Sequence, residues 1–208
     1  MQSARGRPSE GAREAVLEAA HDLFMERNYE LVSIAEILER SGVSRGALYH
    51  HFPTKLDLFL AVFKASELRV LGLIAAGMSD SAGPFEALLA AARAYLRLCE
   101  TDPELRRIGL TQSRAVLGWE RWRAAASELG IAVVLALVSA AIEAGELPPR
   151  DPETTAQVLL GALIEAAMLI VVAEDRTVAR ERSEAVIVDL IEGLRRSPGA
   201  AAAPTRRM

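Results

Sequence analysis

Val43 to Lys55 reads VSRGALYHHFPTK, a short run holding a serine, an arginine, a tyrosine, two adjacent histidines and a lysine. Three kinds of chemistry draw on such groups. Gly42-Val43-Ser44-Arg45-Gly46 fits the G-x-S-x-G spacing of a serine nucleophile elbow, which needs a buried strand before the serine and a histidine later in the chain. Ser33 to Arg40 has the pattern of an amphipathic helix and no histidine follows His51, so an enzyme of this kind is excluded. His50 and His51 suggest a metal, but adjacent residues on a helix diverge by about 100°, and no cysteine or further histidine stands near them. No metal is expected. Rossmann, P-loop and H-E-x-x-H patterns are missing too, and no cofactor is expected.

Display to a polyanion is the third chemistry. On a helix opened by Ser44 and ended by Pro53, Leu48 and Phe52 fall on one side, while Gly46, Tyr49 and His50 point roughly the other way. One side packs and the other is shown to solvent. Two helices joined by a tight turn at Gly42, the second short and polar outside, form the helix-turn-helix arrangement whose second helix enters the major groove of DNA. Arg45 and Lys55 each open a helix, where the positive end of the macrodipole disfavours a cation by roughly 0.3 to 1 kcal/mol. A phosphate oxygen nearby reverses that sign, because helix N-terminal amides and a cation bind the anion together. Both cations are therefore expected to be completed by a polyanion.

The whole chain sets the limits of that reading. At 208 residues, with 51% hydrophobic and 25% charged residues, it has the composition of a soluble globular protein. Its net charge of -4 gives no global attraction to a polyanion, so a nucleic-acid site must be a local patch. Ser41 to Lys55 is such a patch, with two basic residues and no acidic one. The single cysteine, Cys99, cannot form an internal disulfide and suits a reducing cytoplasm. Met1 to Gly11 is polar and does not resemble a signal peptide. The longest apolar run, Val158 to Ala173, contains Glu165 and is short for a membrane span of about 20 residues, so no membrane partner is expected.

Periodicity predicts an all-α chain. Val16, Ala20, Leu23 and Phe24 repeat at helical spacing, as do Ile34, Ile37 and Leu38, and no sustained two-residue alternation occurs. Helices are expected from Arg7 to Asn28, from Ser33 to Arg40 behind a Ser33/Glu36 capping box, from Ser44 to Pro53, and from a Thr54/Asp57 box to about Gly77. Five more follow: Pro84 to Glu100, Pro103 to Leu117, Trp119 to Ala144, Pro152 to Glu174 and Val178 to Arg195. The expected organisation is a helix-turn-helix domain at 1–54, a helical ligand-binding and dimerisation domain at 55–196, and a disordered tail at 197–208. Arg5 and Arg7 either reach a minor groove as an arm or are simply solvated.

From about Arg13 to Phe63, through VLEAAHDLFMERNYELVSIAEILERSGVSRGALYHHFPTKLDLFLAVF, the chain resembles the TetR family of bacterial transcriptional regulators. The pieces LF…R.Y, S.AEI, SGVSRGALYHHFPTK and the following LF stand in the family's order. The resemblance implies a homodimer whose N-terminal heads read a near-palindromic operator and whose C-terminal helices hold a pocket for a small-molecule effector. It puts Ser33 on a phosphate, Ser44, Arg45 and Gly46 in the groove, Tyr49, His50 and His51 along the phosphate backbone, and Lys55 on a phosphate. The chemistry agrees: glycine admits close approach, arginine is long enough for a bidentate guanine contact, and tyrosine and histidine donate to phosphates. Packing against neighbouring helices is the competing role for Tyr49 and His51. Asn28 stands where the family usually has glycine, and is expected in a left-handed conformation.

The C-terminal part says less. Tyr95, Cys99, Gln112, Arg114, Trp119, Trp122, Glu165 and Met168 could line an apolar pocket with a few polar anchors, and core packing explains most of them equally well. Glu165 must find a partner if buried: the effector, an arginine such as Arg114, or the twin subunit. Leu159, Leu163, Ile170, Val186, Ile187, Leu190, Ile191 and Leu194 put apolar residues on more than one face of the last two helices, which predicts a two-fold four-helix interface. Repression relieved by the effector is the expected mode, with activation and a carrier role without DNA as alternatives.

Overall fold

The computed structural model describes residues 7–196, apart from the side chains of 7–10 and 126–129. Arg5, the side chain of Arg7 and the tail expected from Ser197 lie outside the described residues. Every regular element that is described is helical: α1 (Arg7–Glu26), a 3-10 turn (Tyr29–Leu31), α2 (Ile34–Ser41), α3 (Arg45–His51), α4 (Lys55–Gly77), α5 (Pro84–Thr101), a π-helix (Leu105–Gln112) that runs into α6 (Ser113–Glu143), α7 (Pro152–Val172) and α8 (Arg176–Gly193). The residues form two compact units, one from positions up to 69 together with 103–126, the other from 70–102 together with 127 onward. Positions 1–54 fall in the first, and the division passes through α4 between Arg69 and Val70.

In the first unit the periodic positions do what their spacing predicts. Val16, Ala20, Leu23 and Phe24 of α1 are buried with Ile37, Leu48, Phe52, Leu58, Phe59 and Phe63. Phe24 meets Phe59 edge-on at 5.1 Å, and Tyr29 closes the triangle at 5.8 Å from Phe24 and 5.3 Å from Phe59. Such aromatic pairs add about 0.5 to 1.5 kcal/mol beyond the area they bury. The helix ends are set by local chemistry. Ser33 Oγ accepts from the Glu36 amide at 3.2 Å while Glu36 Oε2 accepts from the Ser33 amide at 2.8 Å, which satisfies two donors left over at the start of α2. Thr54 and Asp57 repeat the device before α4. Gly42 ends α2 at φ 66°, a left-handed position that glycine takes without steric cost.

Two features depart from expectation. Asn28 is extended, at φ -69° and ψ 150°, rather than left-handed. Its side-chain oxygen accepts from Arg107 Nη2 at 3.4 Å, so the turn after α1 is held from outside and needs no unusual backbone. The second is the wide turn at Leu105–Gln112, where an ordinary helix was expected. There Arg107 Nε and Gln112 Nε2 both donate to the Phe24 carbonyl, at 2.8 and 2.7 Å, and Gln112 Oε1 accepts from the Tyr29 amide at 3.0 Å. These bonds satisfy the open end of α1. Gly118, at φ 74° and ψ 163°, then breaks the helix between Leu117 and Trp119, where the sequence placed a boundary.

In the second unit α5, α7 and α8 pack on one another. Phe85, Leu88, Leu96 and Ala167 are buried among them. Asp151 and Asp175 cap α7 and α8, and Glu146 Oε2 accepts from the Phe85 amide at 2.7 Å to cap α5. The expected dimer face must be redrawn. Leu159, Leu163, Ile170, Ile187 and Ile191 are buried within the protomer, because they form the inward stripes by which α7 and α8 meet the core. Leu194 is half-buried, and only Val186 and Leu190 of that set are exposed. The exposed apolar surface of these helices is Val158, Leu169 and Val172 on α7 with Val178, Val186 and Leu190 on α8.

Bonds from the Ser33 backbone, the Ser33 hydroxyl and Arg27 hold the Glu36 carboxyl down at about 2. Its folded value lies below its unfolded one, so its stabilising contribution is complete above about pH 4.5 and is lost as the pH falls towards 2. Glu36→Gln is therefore expected to lower the melting temperature at pH 7 and to flatten its dependence on pH between 4.5 and 2, as read by circular dichroism.

Candidate nucleic-acid interface

α3 is seven residues long, capped by Ser44, whose Oγ accepts from the Ala47 amide at 3.3 Å. Leu48 is 0% exposed and Phe52 4%, and fully burying a leucine contributes about 1.5 to 3 kcal/mol. Phe52 is also covered by the Arg13 guanidinium at 5.6 Å. With that side fixed, Ser44, Arg45, Gly46, Tyr49 and His50 are all exposed, Tyr49 at 40%. Ser33 is exposed as well, at the N-terminus of α2. The Gly42–Gly46 stretch is thus a cap, a turn and a second cap between two helices, with Ser44 spent on its own helix.

The two cations that open helices differ. Among the described residues Arg45 makes no hydrogen bond and no ion pair, and its first turn of α3 contains no acidic residue. Lys55 has partners inside the molecule. Its Nζ donates to the Tyr29 carbonyl and lies 4.0 Å from the centre of the Tyr29 ring. Partial burial pulls its pKa below the usual lysine value, with Glu30 and Glu36 acting the other way. The expectation that a polyanion completes both cations is corrected for Lys55: a carbonyl and an aromatic face already hold its charge at the start of α4. His51 is half-buried, with its ring 5.2 Å from that of His50 and 6.3 Å from Phe52.

The residues expected to line a pocket are divided between the two units. Gln112, Arg114, Trp119 and Trp122 belong to the first unit, and Tyr95, Cys99, Glu165 and Met168 to the second. Gln112 is buried with both ends of its amide engaged, which makes it a fastener of α1. Trp122 is 1% exposed and donates Nε1 to the Gly109 carbonyl at 3.1 Å. Trp119 is exposed, and Arg114 lies 5.5 Å from its ring and 5.3 Å from that of Trp122. Cys99 is fully buried in α5, and Met168 is half-buried. Glu165 is exposed on α7 and needs no buried partner.

Sequence reasoning missed two features. Tyr29 anchors Lys55, and its place next to Asn28 gave no hint of that. Glu67 lies on α4 in register with Phe59, Phe63, Val70 and Ile74, all buried, so a carboxylate on an apolar stripe was a legible signal.

Residues 16–62 match the model described as bacterial regulatory proteins, tetR family, and residues 85–194 match that of the tetracyclin repressor-like C-terminal domain. The HTH-type transcriptional repressor BepR of Brucella suis is 32% identical over 162 residues, spanning 71% of this chain and 75% of that protein. A TetR-family regulator from Pectobacterium atrosepticum, solved by crystallography, superposes with a TM-score of 0.79 at 29% identity, over 92% of this chain and 97% of that one. FadR of Bacillus subtilis, solved with stearoyl-CoA, has the same fold at a TM-score of 0.69 and 19% identity, over 86% and 98% of the two chains.

The two sides of α3 are separable by mutation. Arg45→Ala is expected to weaken duplex binding about tenfold or more at an unchanged melting temperature, in line with about 1 to 3 kcal/mol for a good bidentate base contact. Leu48→Ala is expected to cost about 2 to 5 kcal/mol of stability. Fluorescence anisotropy on DNA and thermal melts of the same samples check both.

Proposed function

The chain belongs to the TetR family of bacterial transcriptional regulators, and we propose that this DNA-binding regulator is a homodimeric repressor released from a near-palindromic operator by a small-molecule effector. The observation that carries the reading is α3 itself. Its apolar side is buried, its polar side is free, and its first turn holds an arginine with no partner among the described residues. In this reading Arg45, with Ser44 and Gly46, faces base edges, while Ser33, Tyr49, His50 and His51 meet phosphates. Lys55 adds positive potential from a place fixed by Tyr29. Repression follows the assignment of BepR. A regulator that works on DNA suits a cytoplasmic location.

Dimerisation is supported by the outer stripes of α7 and α8. Val158, Leu169 and Val172 are 66%, 55% and 74% exposed, and Val186 and Leu190 60% and 49%, an apolar surface that gains from cover. α7 is long and apolar enough by composition to cross a membrane. The same outer side carries Glu165, which suits the solvated edge of a protein interface better than lipid. Two copies related by a two-fold axis present two α3 helices, which enter successive major grooves when they stand about 34 to 36 Å apart. An effector that binds more tightly to a dimer with another spacing lowers DNA affinity by that difference and no more. α4 supports this coupling, since one helix begins at the Lys55 anchor and contributes residues to both compact units. FadR was solved with an acyl-CoA, which supports a ligand-holding role for this helical scaffold.

Footprinting on DNA flanking the gene is expected to protect a near-palindrome, with protection lost on adding the right effector. Leu190→Asp is expected to convert the protein to monomers in sedimentation velocity and to reduce operator affinity at least tenfold while the helical content stays unchanged. A monomeric wild-type protein that binds DNA with full affinity would rule out the dimeric reading.

A further inference from the structure

Glu67 is a carboxyl-bearing residue of α4 whose placement the packing does not explain. It sits on the stripe that buries Phe59, Phe63, Val70 and Ile74, one turn after Phe63. Its Oε1 lies where a side chain on Gly109 would be crowded: a Cβ built there would be 3.2 Å from that oxygen and 2.9 Å from Leu105 Cδ1. The carboxylate therefore rests against bare backbone in the middle of the π-helix. That backbone offers it nothing. The Gly109 carbonyl already accepts from Ser113 Oγ at 2.5 Å and from Trp122 Nε1 at 3.1 Å, and an ionised carboxylate cannot donate to it. Among the described residues Glu67, half-buried, has no hydrogen bond or ion pair, and next to it Ser66 Oγ is buried without a hydrogen-bond partner.

We propose that Glu67, seated against Gly109 between α4 and the π-helix, is the counter-ion for a small organic ammonium ligand, which is the effector. The inference rests on the reading of the chain as an effector-released regulator. A carboxylate set on an apolar stripe without a partner is costly, and a cation that donates hydrogen bonds removes that cost. Leu105 and Trp122, which contact Gly109, and the buried Phe63 one turn before Glu67 favour an organic cation over a hydrated metal ion, and no cluster of three His, Cys, Asp or Glu side chains occurs among the described residues. The charged side chains on the two segments that meet here are Lys64 and Arg69 on α4, and Glu104, Arg106 and Arg107 beside or within the π-helix. Arg69 Nε is 3.1 Å from Glu104, and Arg107 is bound to Phe24 and Asn28. None of them acts on Glu67, whose carboxyl is pushed up to about 7 by burial alone.

Octylammonium, which keeps its charge from pH 5.5 to 8, and octanoate are the probes, with calorimetry on the full-length protein as the readout. Octylammonium is expected to bind about tenfold or more tightly at pH 8 than at pH 5.5, as Glu67 ionises. Glu67→Gln is expected to abolish that gain, and octanoate is expected not to bind. Equal affinity of wild type and Glu67→Gln, binding indifferent to pH, or equal binding of octanoate overturns the proposal. Thermal melts keep it testable without a ligand. A carboxyl raised by burial destabilises the fold once ionised, so the wild-type melting temperature should fall as pH rises from about 4.5 through 7, and Glu67→Gln should lack that fall. A Glu67→Gln protein that keeps the same fall overturns it too. Octylammonium that binds through Glu67 without releasing DNA contradicts only the effector mechanism, so the two readings fail separately.

Discussion

A helix of seven residues can bury one side only, and the rest of this protein's function depends on which side α3 buries. Leu48 and Phe52 are sealed against the first unit, where α1 packs on α3 and Arg13 covers the Phe52 ring. That burial fixes the rotation of the helix about its axis. Everything polar on it, from Ser44 to His50, is then turned outward together. The caps matter for the same reason. Gly42 reverses the chain in a left-handed conformation and Ser44 starts the next helix at once, so α3 has no slack with which to rotate.

The two basic residues show how similar local signals reach different ends. A cation in the first turn of a helix is unfavourable by the dipole, and something must offset it. For Lys55 the offset is internal, supplied by the Tyr29 carbonyl and the ring of the same residue, which itself belongs to the Phe24–Phe59 cluster. Lys55 therefore ties the start of α4 to the end of α1. Arg45 has no such compensation among the described residues, and in the proposed reading an external anion supplies it. A repeated sequence feature thus divides into one cation held inside the molecule and one left exposed, decided by whether an acceptor lies within reach.

Helix order, caps and the sidedness of α3 were legible because each is set by residues three or four apart. Ser33 with Glu36, and Thr54 with Asp57, form the expected boxes. What the sequence could not reveal depends on contacts between distant segments. Asn28 is extended, and Arg107, 79 residues away, reaches its side chain. The wide turn at Leu105–Gln112 has a period that no apolar pattern marks, and it exists beside bonds from Arg107 and Gln112 to the end of α1. On α7 and α8 the apolar residues occupy more than one face, so composition alone did not decide which stripe turns inward. Leu159 and Ile187 proved to be core, while Val158 and Val186, one position away in each case, are exposed.

The most direct test of the account follows the backbone amides of the isotope-labelled protein by NMR as duplex DNA carrying the operator is added. The account requires the large shifts to fall on Ser33 and on Ser44 through His50, with the amides of Leu23, Phe24 and Phe59 little changed. Shifts confined to α7 and α8, with α3 silent, would contradict it.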